Sequence, residues 1–221
     1  MSATAIIERL QIESNTPEWF AARLGKFTAS NAYMLMQNGR SKDHVFSEKA
    51  LTYIMQNVAE IISDVPPMEV SAPALSWGRS FENEARQLMG FPVEVGYCYA
   101  LEDYAFGTPD GETKTHIVEI KCPYNSVGHL QNLLLASPLE LLQQRPEYYW
   151  QMQMNMHLAG KQAAWFVSYD PRMKANSRMK MMEVPINHAH VGDLAERLEL
   201  ANSMKQEYLI RIAAACARAK I

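Results

Sequence analysis

The sequence is poor in cysteine and contains no long apolar run. Its three cysteines are scattered without CxxC spacing, which argues against a disulfide framework or a zinc site, and three thiols cannot ligate a four-cysteine iron–sulfur cluster. No run of about eighteen apolar residues occurs, so the sequence predicts no transmembrane helix and no membrane partner. Residues 1–10 lack a basic start followed by a long apolar stretch, so we find no signal peptide and expect a cytoplasmic protein.

An excess of positive charge is also missing. The chain carries 21 basic and 24 acidic residues, which gives a formal net charge of −3. Non-specific affinity for DNA comes largely from lysine and arginine side chains that release counterions from the phosphates. A protein with this balance has no general electrostatic affinity for DNA, and a DNA-binding function would depend on a local basic track.

Linkers and repeats are absent as well, and the chain is predicted to form one domain. No Pro/Gly/Ser-rich linker, low-complexity tract or internal repeat divides residues 1–221, which are enough to bury a sizeable core. Apolar periodicity and turn residues predict an α/β fold with a mixed central β-sheet flanked by helices. The predicted helices span residues 17–24, 31–37, 46–62, 73–89, 126–135, 146–159 and 191–218, and the predicted strands span residues 93–101, 104–108, 117–122, 164–169 and 179–185.

The most informative segment spans residues 107–123. Asp110 lies at the end of one predicted strand, and Glu119 and Lys121 follow on the next, where side-chain alternation puts both on one face. Two carboxylates, the Ile120 carbonyl and substrate phosphate oxygens suffice to hold Mg²⁺, which prefers oxygen ligands and keeps several waters. Lys121 would then stabilise a hydroxide or a developing negative charge. This pattern predicts metal-dependent phosphodiester hydrolysis; the alternative is an ordinary hairpin whose Glu and Lys form a solvated pair.

Six segments of the chain carry a resemblance to a known family. They are residues 19–30 (WFAARLGKFTAS), 75–83 (LSWGRSFEN), 108–111 (TPDG), 119–123 (EIKCP), 149–153 (YWQMQ) and 169–174 (YDPRMK). In content and order they resemble the family of bacteriophage lambda exonuclease, within the PD-(D/E)xK nuclease superfamily. Two departures concern fine positioning: Thr108 stands where the phage enzyme has serine, and the turn between the acidic residues is one position shorter.

The resemblance implies roles for the acidic residues and their neighbours. Asp110 and Glu119 are the implied ligands of two Mg²⁺ ions, for which Mn²⁺ can substitute, and the lysine that follows them would contact the attacking water. Glu82 aligns with a family glutamate that orients a metal-bound water or a second ion; the alternative is an i, i+4 pair with Arg86. Gln151 aligns with the family's active-site glutamine, whereas the glutamine two residues later lies on another helix face.

A second implied group of residues binds the DNA end. Arg23 and Ser30 would bind a terminal 5′ phosphate through an arginine fork, a hydroxyl and free amides at a helix start, and Thr108 would add a hydroxyl. From the residues alone, a surface ion pair for Arg23 and a plain N-cap for Ser30 remain open. Leu75 falls where the family has an apolar wedge that separates the strands, unless it is a buried helix-face leucine. Arg40 would reach the DNA ahead of the site.

As a whole, the resemblance implies a restriction-endonuclease-like core and a Mg²⁺-dependent, processive 5′→3′ exonuclease. Such an enzyme degrades one strand of linear duplex DNA with a 5′-phosphorylated end, releases mononucleotides and leaves a 3′ overhang for recombination with a single-strand annealing protein. The family resembles ring-shaped homotrimers, in which enclosure sustains a processivity that the acidic charge cannot. The expected location is the cytoplasm of a bacterial host cell, as for a phage or prophage protein. Two alternatives remain: a restriction-like endonuclease of the same superfamily and a non-catalytic DNA-end-binding scaffold.

Overall fold

The computed structural model describes residues 6–40, 45–64 and 73–218; residues 1–5 and 219–221 of the predicted 1–221 domain lie outside these ranges. The described residues form eight α-helices and eight β-strands. The helices are α1 (Pro17–Arg23), α2 (Ala32–Leu35), α3 (Glu48–Ile62), α4 (Pro73–Leu88), α5 (Ser126–Leu134), α6 (Pro138–Gln144), α7 (Pro146–Ala159) and α8 (His188–Arg218). The strands are β1 (Ile7–Gln11), β2 (Phe27–Thr28), β3 (Tyr97–Leu101), β4 (Ala105–Gly107), β5 (Gly111–Glu112), β6 (His116–Lys121), β7 (Ala163–Tyr169) and β8 (Met179–Pro185).

The strands form two mixed four-stranded sheets. The first has the order β1-β3-β4-β2 and contains one parallel pair, β2 with β4. The second has the order β5-β6-β7-β8, and its parallel pair is β6 with β7. The predicted α/β class with mixed sheets flanked by helices is confirmed, although the sequence pattern had suggested a single sheet and did not reveal β1, β2, β5 or α6. Strands of two residues are too short for period-two alternation to be recognised.

Local capping chemistry explains where several helices begin and end. The side chains of Thr16, Ser47, Asn125 and Ser137 each accept a hydrogen bond from a backbone N–H in the first turn of α1, α3, α5 and α6. Helix α7 ends at Gly160, whose φ of 64° lies in the left-handed region that glycine adopts without a Cβ clash. These caps fix the ends of the elements that surround the cleft described below.

Helix α7 is the centre of the fold. It contacts β3 and β4 of the first sheet and β6 and β7 of the second, and its methionines Met152, Met154 and Met156 are fully buried in the main hydrophobic core. Strand β6 has α7 on one side and α4 on the other, so its side chains are covered on both faces. Polar groups on β6 are therefore held in a largely dry environment. Within the described ranges, no helix has both the length and the apolar character that crossing a bilayer requires.

Candidate active site

The carboxylates and the lysine of the 107–123 segment lie side by side. Asp110 immediately precedes β5, whose pairing with β6 returns it to the strand that carries Glu119 and Lys121. The Asp110 Oδ2 atom accepts a hydrogen bond from the Ile120 backbone N–H at 2.6 Å. The Lys121 ammonium donates to Glu119 Oε1, also at 2.6 Å, and Glu119 is fully buried. The structure thus forms two neighbouring pairs, Asp110 with the Ile120 amide and Glu119 with the Lys121 ammonium.

Helix α7 supplies two amide side chains to the same cluster. Gln151 Oε1 accepts a hydrogen bond from the Lys121 ammonium at 3.1 Å, and Asn155 Nδ2 donates to Glu119 Oε2 at 3.3 Å. These two residues are four positions apart and so share one helix face. Gln153 faces away from the cleft, because its amide donates to Pro185 O and accepts from the backbone N–H of residue 187.

Asn155 was not identified from the sequence. It is fully buried, and its Oδ1 atom has no hydrogen-bond partner among the described residues. A Cβ atom built on Gly107 would lie 2.5 Å from this oxygen, so the glycine at the end of β4 leaves room for the amide. The one signal in the sequence was its position one helical turn after Gln151.

Helix α4 presents Glu82 to the cluster. Glu82 lines the same cleft as Asp110 and Lys121. Within the described part of the chain, Arg86 forms no ion pair with Glu82; its guanidinium instead donates to the Asp110 carbonyl oxygen at 3.1 Å and to the Asn83 side chain at 3.4 Å. Helix α4 therefore contributes a carboxylate to the cleft and a fixed contact to the backbone of Asp110.

The cluster contains more acidic than basic side chains, and the pKa values of its carboxyl groups are raised. Burial, together with repulsion from Asp110, raises the pKa of Glu82 to about 7. Burial raises the pKa of Glu119 to about 8, and burial also raises the pKa of Asp110, in both cases against the opposing effect of Lys121. Burial lowers the pKa of Lys121, but Glu119 and Asp110 outweigh that effect and raise it overall. A cation entering the cleft would relieve this excess of negative charge.

The donor set fits a hard divalent cation. Carboxylate oxygens of Asp110, Glu119 and Glu82 and the Ile120 carbonyl are the ligand type that Mg²⁺ prefers. Among the described residues, no three His, Cys, Asp or Glu side chains converge closely enough to form a complete metal site. Waters or substrate oxygens would therefore have to complete the coordination, as Mg²⁺ commonly allows. In this structure the Lys121 ammonium occupies one oxygen of Glu119 that a cation would also use.

The predicted DNA-end residues line the same cleft, which has a volume of about 720 Å³. The Arg23 guanidinium lies 4.5 Å from the centre of the Trp19 ring, and Trp19 Nε1 donates to Thr108 Oγ1 at 3.0 Å. Ser30 is exposed at the cleft, where its hydroxyl lies 3.3 Å from Thr28 Oγ1.

The remaining two predicted DNA contacts differ in position. Leu75 also lines the cleft and is 48% exposed, so it is not the buried helix-face leucine of the alternative. Arg40 is exposed and is not among the residues that line the cleft. The structure therefore brings together every predicted site residue except Arg40.

Comparisons with known proteins identify the family. A family model described as YqaJ-like viral recombinase domain matches residues 18–162. The crystal structure of an alkaline exonuclease, LHK-Exo, from Laribacter hongkongensis is similar to this chain, with a TM-score of 0.78 and 25% identity over 92% of this chain and 100% of that chain. The structure of LHK-Exo in complex with dAMP has the same TM-score of 0.78, with 26% identity over 92% of this chain and 100% of that one.

A more distant structure has the same fold. A phage-related exonuclease from Haemophilus somnus gives a TM-score of 0.69 at 13% identity, over 85% of this chain and 96% of that chain. Among curated proteins, none matches this sequence. Because the family model spans more than half of the sequence, the chain belongs to the YqaJ-like viral recombinase domain family, which confirms the resemblance to lambda exonuclease.

Proposed function

We propose that this protein is a Mg²⁺-dependent exonuclease that degrades one strand of linear duplex DNA from its 5′ end. The observation that carries the proposal is that Asp110 and Lys121 line one cleft, while the buried Glu119 accepts a hydrogen bond from Lys121 directly behind it. The similarity to an alkaline exonuclease, a protein also found in complex with dAMP, supports the same chemistry and mononucleotides as its products.

The metal would be held by the acidic side of the cleft. Asp110, Glu119 and the Ile120 carbonyl are the proposed direct ligands, and Glu82 would act through water. Two Mg²⁺ ions are proposed, with Mn²⁺ able to substitute. When bound, such a cation supplies a water of lowered pKa and positive charge against the phosphate.

The protein's own groups would orient the reaction. The Lys121 ammonium, held between Glu119 Oε1 and Gln151 Oε1, would contact the attacking water and stabilise the developing charge. Gln151 fixes that ammonium from the α7 side, and Asn155 fixes the second oxygen of Glu119. Catalysis of this kind depends mainly on positioning and on charge that is already in place.

The opposite wall of the cleft would select the DNA end. Arg23, Ser30 and Thr108 would bind a terminal 5′ phosphate, for which arginine is a strong charge-assisted donor. Leu75, half-exposed at the cleft, would be the wedge that separates the strands, and Arg40 would contact DNA outside the cleft.

This proposal predicts a preference for 5′-phosphorylated over 5′-hydroxyl ends. Arg23→Ala should reduce that preference by about tenfold, since it removes one charge-assisted contact worth roughly 1.5 kcal/mol. Initiation rates on the two ends are compared for wild type, Arg23→Ala and the control Lys49→Ala, which alters an exposed cationic residue on α3 that does not line the cleft. Identical wild-type initiation rates on the two ends would contradict the proposed binding of a terminal 5′ phosphate by Arg23.

Assembly and partners complete the proposal. With a net charge of −3, a monomer has little general attraction for DNA, so we propose a homotrimeric ring for processivity, with part of the interface supplied by α8 or by β8. The 3′ overhang would be passed to a single-strand annealing protein for recombination. Light scattering tests the trimer, and a processivity assay with trap DNA across a salt series tests whether run length resists salt better than initial binding does.

The function itself is tested by timed digestion of linear duplex DNA labelled separately at each 5′ and 3′ end, with Mg²⁺ or EDTA. We expect early release of 5′-labelled mononucleotides, retention of the 3′ label, no reaction in EDTA and no cleavage of closed circular DNA. Cleavage of the closed circle would favour the restriction-like endonuclease. DNA-end binding without hydrolysis would favour the scaffold.

A further inference from the structure

Tyr124 is an exposed aromatic residue on the wall of the cleft. It follows Lys121 by three positions, just after β6 ends, and lines the cleft together with Asp110 and Leu75. Its side chain is 54% exposed, so one part of the ring is accessible from the cleft. The roles proposed above do not use this ring.

The backbone beneath this ring is clamped by Arg172. The Arg172 Nη2 group donates to the carbonyl oxygens of Pro123 and Tyr124 at 3.2 and 3.0 Å. Arg172 is in turn held by Asp170, whose two carboxylate oxygens accept from Nε and Nη2, both at 2.8 Å. Asp170 is fully buried, so the fork is anchored in the protein interior. The anchor lies in the 169–174 segment, to which the sequence assigned no role.

The ring itself is supported from the side of α4. Trp77 lies 6.0 Å from Tyr124, with the two ring planes at 83°, and the Arg172 guanidinium lies 4.2 Å from the centre of the Trp77 ring. Trp77 is backed by Phe81 at 4.4 Å. Tyr124 is therefore exposed to the cleft but held by its backbone and by one neighbouring ring. A ring ordered in advance loses little conformational entropy when a ligand stacks on it.

We propose that Tyr124 is a stacking platform for a nucleobase of the DNA in the cleft, and that Arg172 is the positioning residue that holds it. This inference rests on the proposed function. Every nucleobase has an aromatic face, so stacking tolerates any sequence, as an enzyme that degrades successive nucleotides requires. The Nε and Nη2 donors of Arg172 are already engaged by Asp170 and the two carbonyls, so we assign this residue to positioning the platform.

The test is a double-mutant cycle between the protein and the DNA. Wild type and Tyr124→Ala are compared on linear duplexes that carry an abasic site at each nucleotide in turn from the 5′ end, with binding measured in EDTA. We expect Tyr124→Ala to weaken binding of intact DNA by about tenfold, in line with alanine substitutions of stacked aromatics. At one position, the abasic site should abolish that difference. Tyr124→Trp should bind intact DNA as wild type does, and 2-aminopurine at that position should be quenched by wild type but not by Tyr124→Ala.

A matched control and a clamp variant sharpen the test. Val127→Ala removes an apolar side chain that is 56% exposed on α5 and is not among the cleft-lining residues, so binding should not change. Arg172→Lys keeps the charge but loses the fork. Arg172→Lys alone should weaken DNA binding severalfold, and it should have no further effect when combined with Tyr124→Ala. An equal effect in both backgrounds would contradict the positioning role.

Failure of this inference is distinguishable from failure of the proposed function. If wild type binds and digests linear DNA while Tyr124→Ala matches it on every abasic substrate, the platform is wrong and the nuclease assignment stands. If wild type neither binds nor digests DNA, both are wrong.

Discussion

Two buried glutamates on adjacent strands, Glu112 and Glu119, differ in the charged and polar groups that surround them. Glu112 on β5 is 4% exposed, and its carboxylate meets the Arg9 guanidinium at 2.5 Å, the Tyr99 hydroxyl and, at 3.8 Å, the Lys161 ammonium. Glu119 on β6 is fully buried and has Lys121 and Asn155 as its donors. One acid thus faces two cationic side chains and a hydroxyl, whereas the other shares a single cationic side chain, Lys121, with neighbouring carboxylates.

The difference separates a structural site from a chemical one. Around Glu112 the donors satisfy the carboxylate and connect β1, β3, β5 and the turn after α7, so the charge stabilises the fold. Burial and the neighbouring Glu112 raise the pKa of Tyr99 to about 12, which keeps that hydroxyl a donor. Around Glu119 the acids lack sufficient donors, an arrangement that is typical of sites built to bind a cation or to act on a substrate.

The largest expected effect is on catalysis at Glu119. Glu119→Gln should lower single-turnover cleavage by about a thousandfold, since a metal ligand and an orienting partner of Lys121 are both lost. The free energy of unfolding should change by less than about 1 kcal/mol, because Lys121 keeps its attraction to Asp110 and the loss of the Glu119 charge relieves its repulsion with Asp110 and Glu82. Lys121→Ala should be equally inactive. Digestion within about threefold of wild type, only ~0.65 kcal/mol of barrier, would remove either residue from the catalytic set.

The converse is expected at Glu112. Glu112→Gln should lower the free energy of unfolding by about 2 kcal/mol, because Lys161 loses its nearby carboxylate and Arg9 keeps only its longer contact with the exposed Glu94. Cleavage by the folded variant should stay within about threefold of wild type. Urea unfolding provides the measurement, with Glu207→Gln, an exposed acid paired with Arg211, as the matched control at below about 0.5 kcal/mol. Equal free energies of unfolding for the Glu112 and Glu207 variants would contradict a stabilising role for the Glu112 carboxylate.

Substitution of Asn155 tests whether its side-chain amide affects cleavage by orienting Glu119. Asn155→Ala should lower cleavage by roughly tenfold, as is typical when a partner that orients a metal ligand is removed. Asn57 offers a matched control, since it is also a buried asparagine that donates to one oxygen and has an unpartnered Oδ1. Asn57→Ala should have a similar effect on stability and none on cleavage. A Mg²⁺ titration of cleavage is informative here, because a positioning role raises the Mg²⁺ concentration needed, whereas a packing defect does not.

The smallest effect concerns Asp170 and depends on pH. Burial alone would raise the pKa of Asp170, but hydrogen bonds from Arg172 and Ser126 outweigh it and lower that pKa to about 2. A lowered carboxyl pKa contributes stability above the unfolded value of about 4, and this contribution is lost as the pH falls through 2. At neutral pH the free energy of unfolding of wild type should exceed that of Asp170→Asn by about 1 kcal/mol. The two free energies should converge near pH 2. Thermal unfolding across that range measures this, and a difference that persists below pH 2 would contradict it.

Local sequence spacing anticipated the centre of the site but not what surrounds it. The Asp110, Glu119 and Lys121 constellation was predictable because a hairpin and strand alternation fix these residues relative to one another over a few positions. The polar edge strand β1 has little apolar alternation and so gave no strand signal.

Contacts between residues that are far apart in the sequence could not be predicted from local sequence patterns. Glu112 lies 103 positions from Arg9, and nothing in the local sequence around either residue indicates their contact. Asn155 carries no chemical signature of its own, and Arg172 shows a function only once it is seen donating to carbonyls 48 and 49 positions away. Such contacts are set by how the two sheets and α7 pack, which single-sequence patterns do not encode.

Metal affinity distinguishes the two buried glutamates without relying on cleavage. Mn²⁺ is titrated calorimetrically into wild type, Glu119→Gln and Glu112→Gln under folded conditions. The account predicts that wild type and the Glu112 variant bind Mn²⁺ alike and that the Glu119 variant loses at least about tenfold in affinity, ~1.4 kcal/mol. Unchanged Mn²⁺ affinity in Glu119→Gln, or an equal loss in both variants, would contradict it.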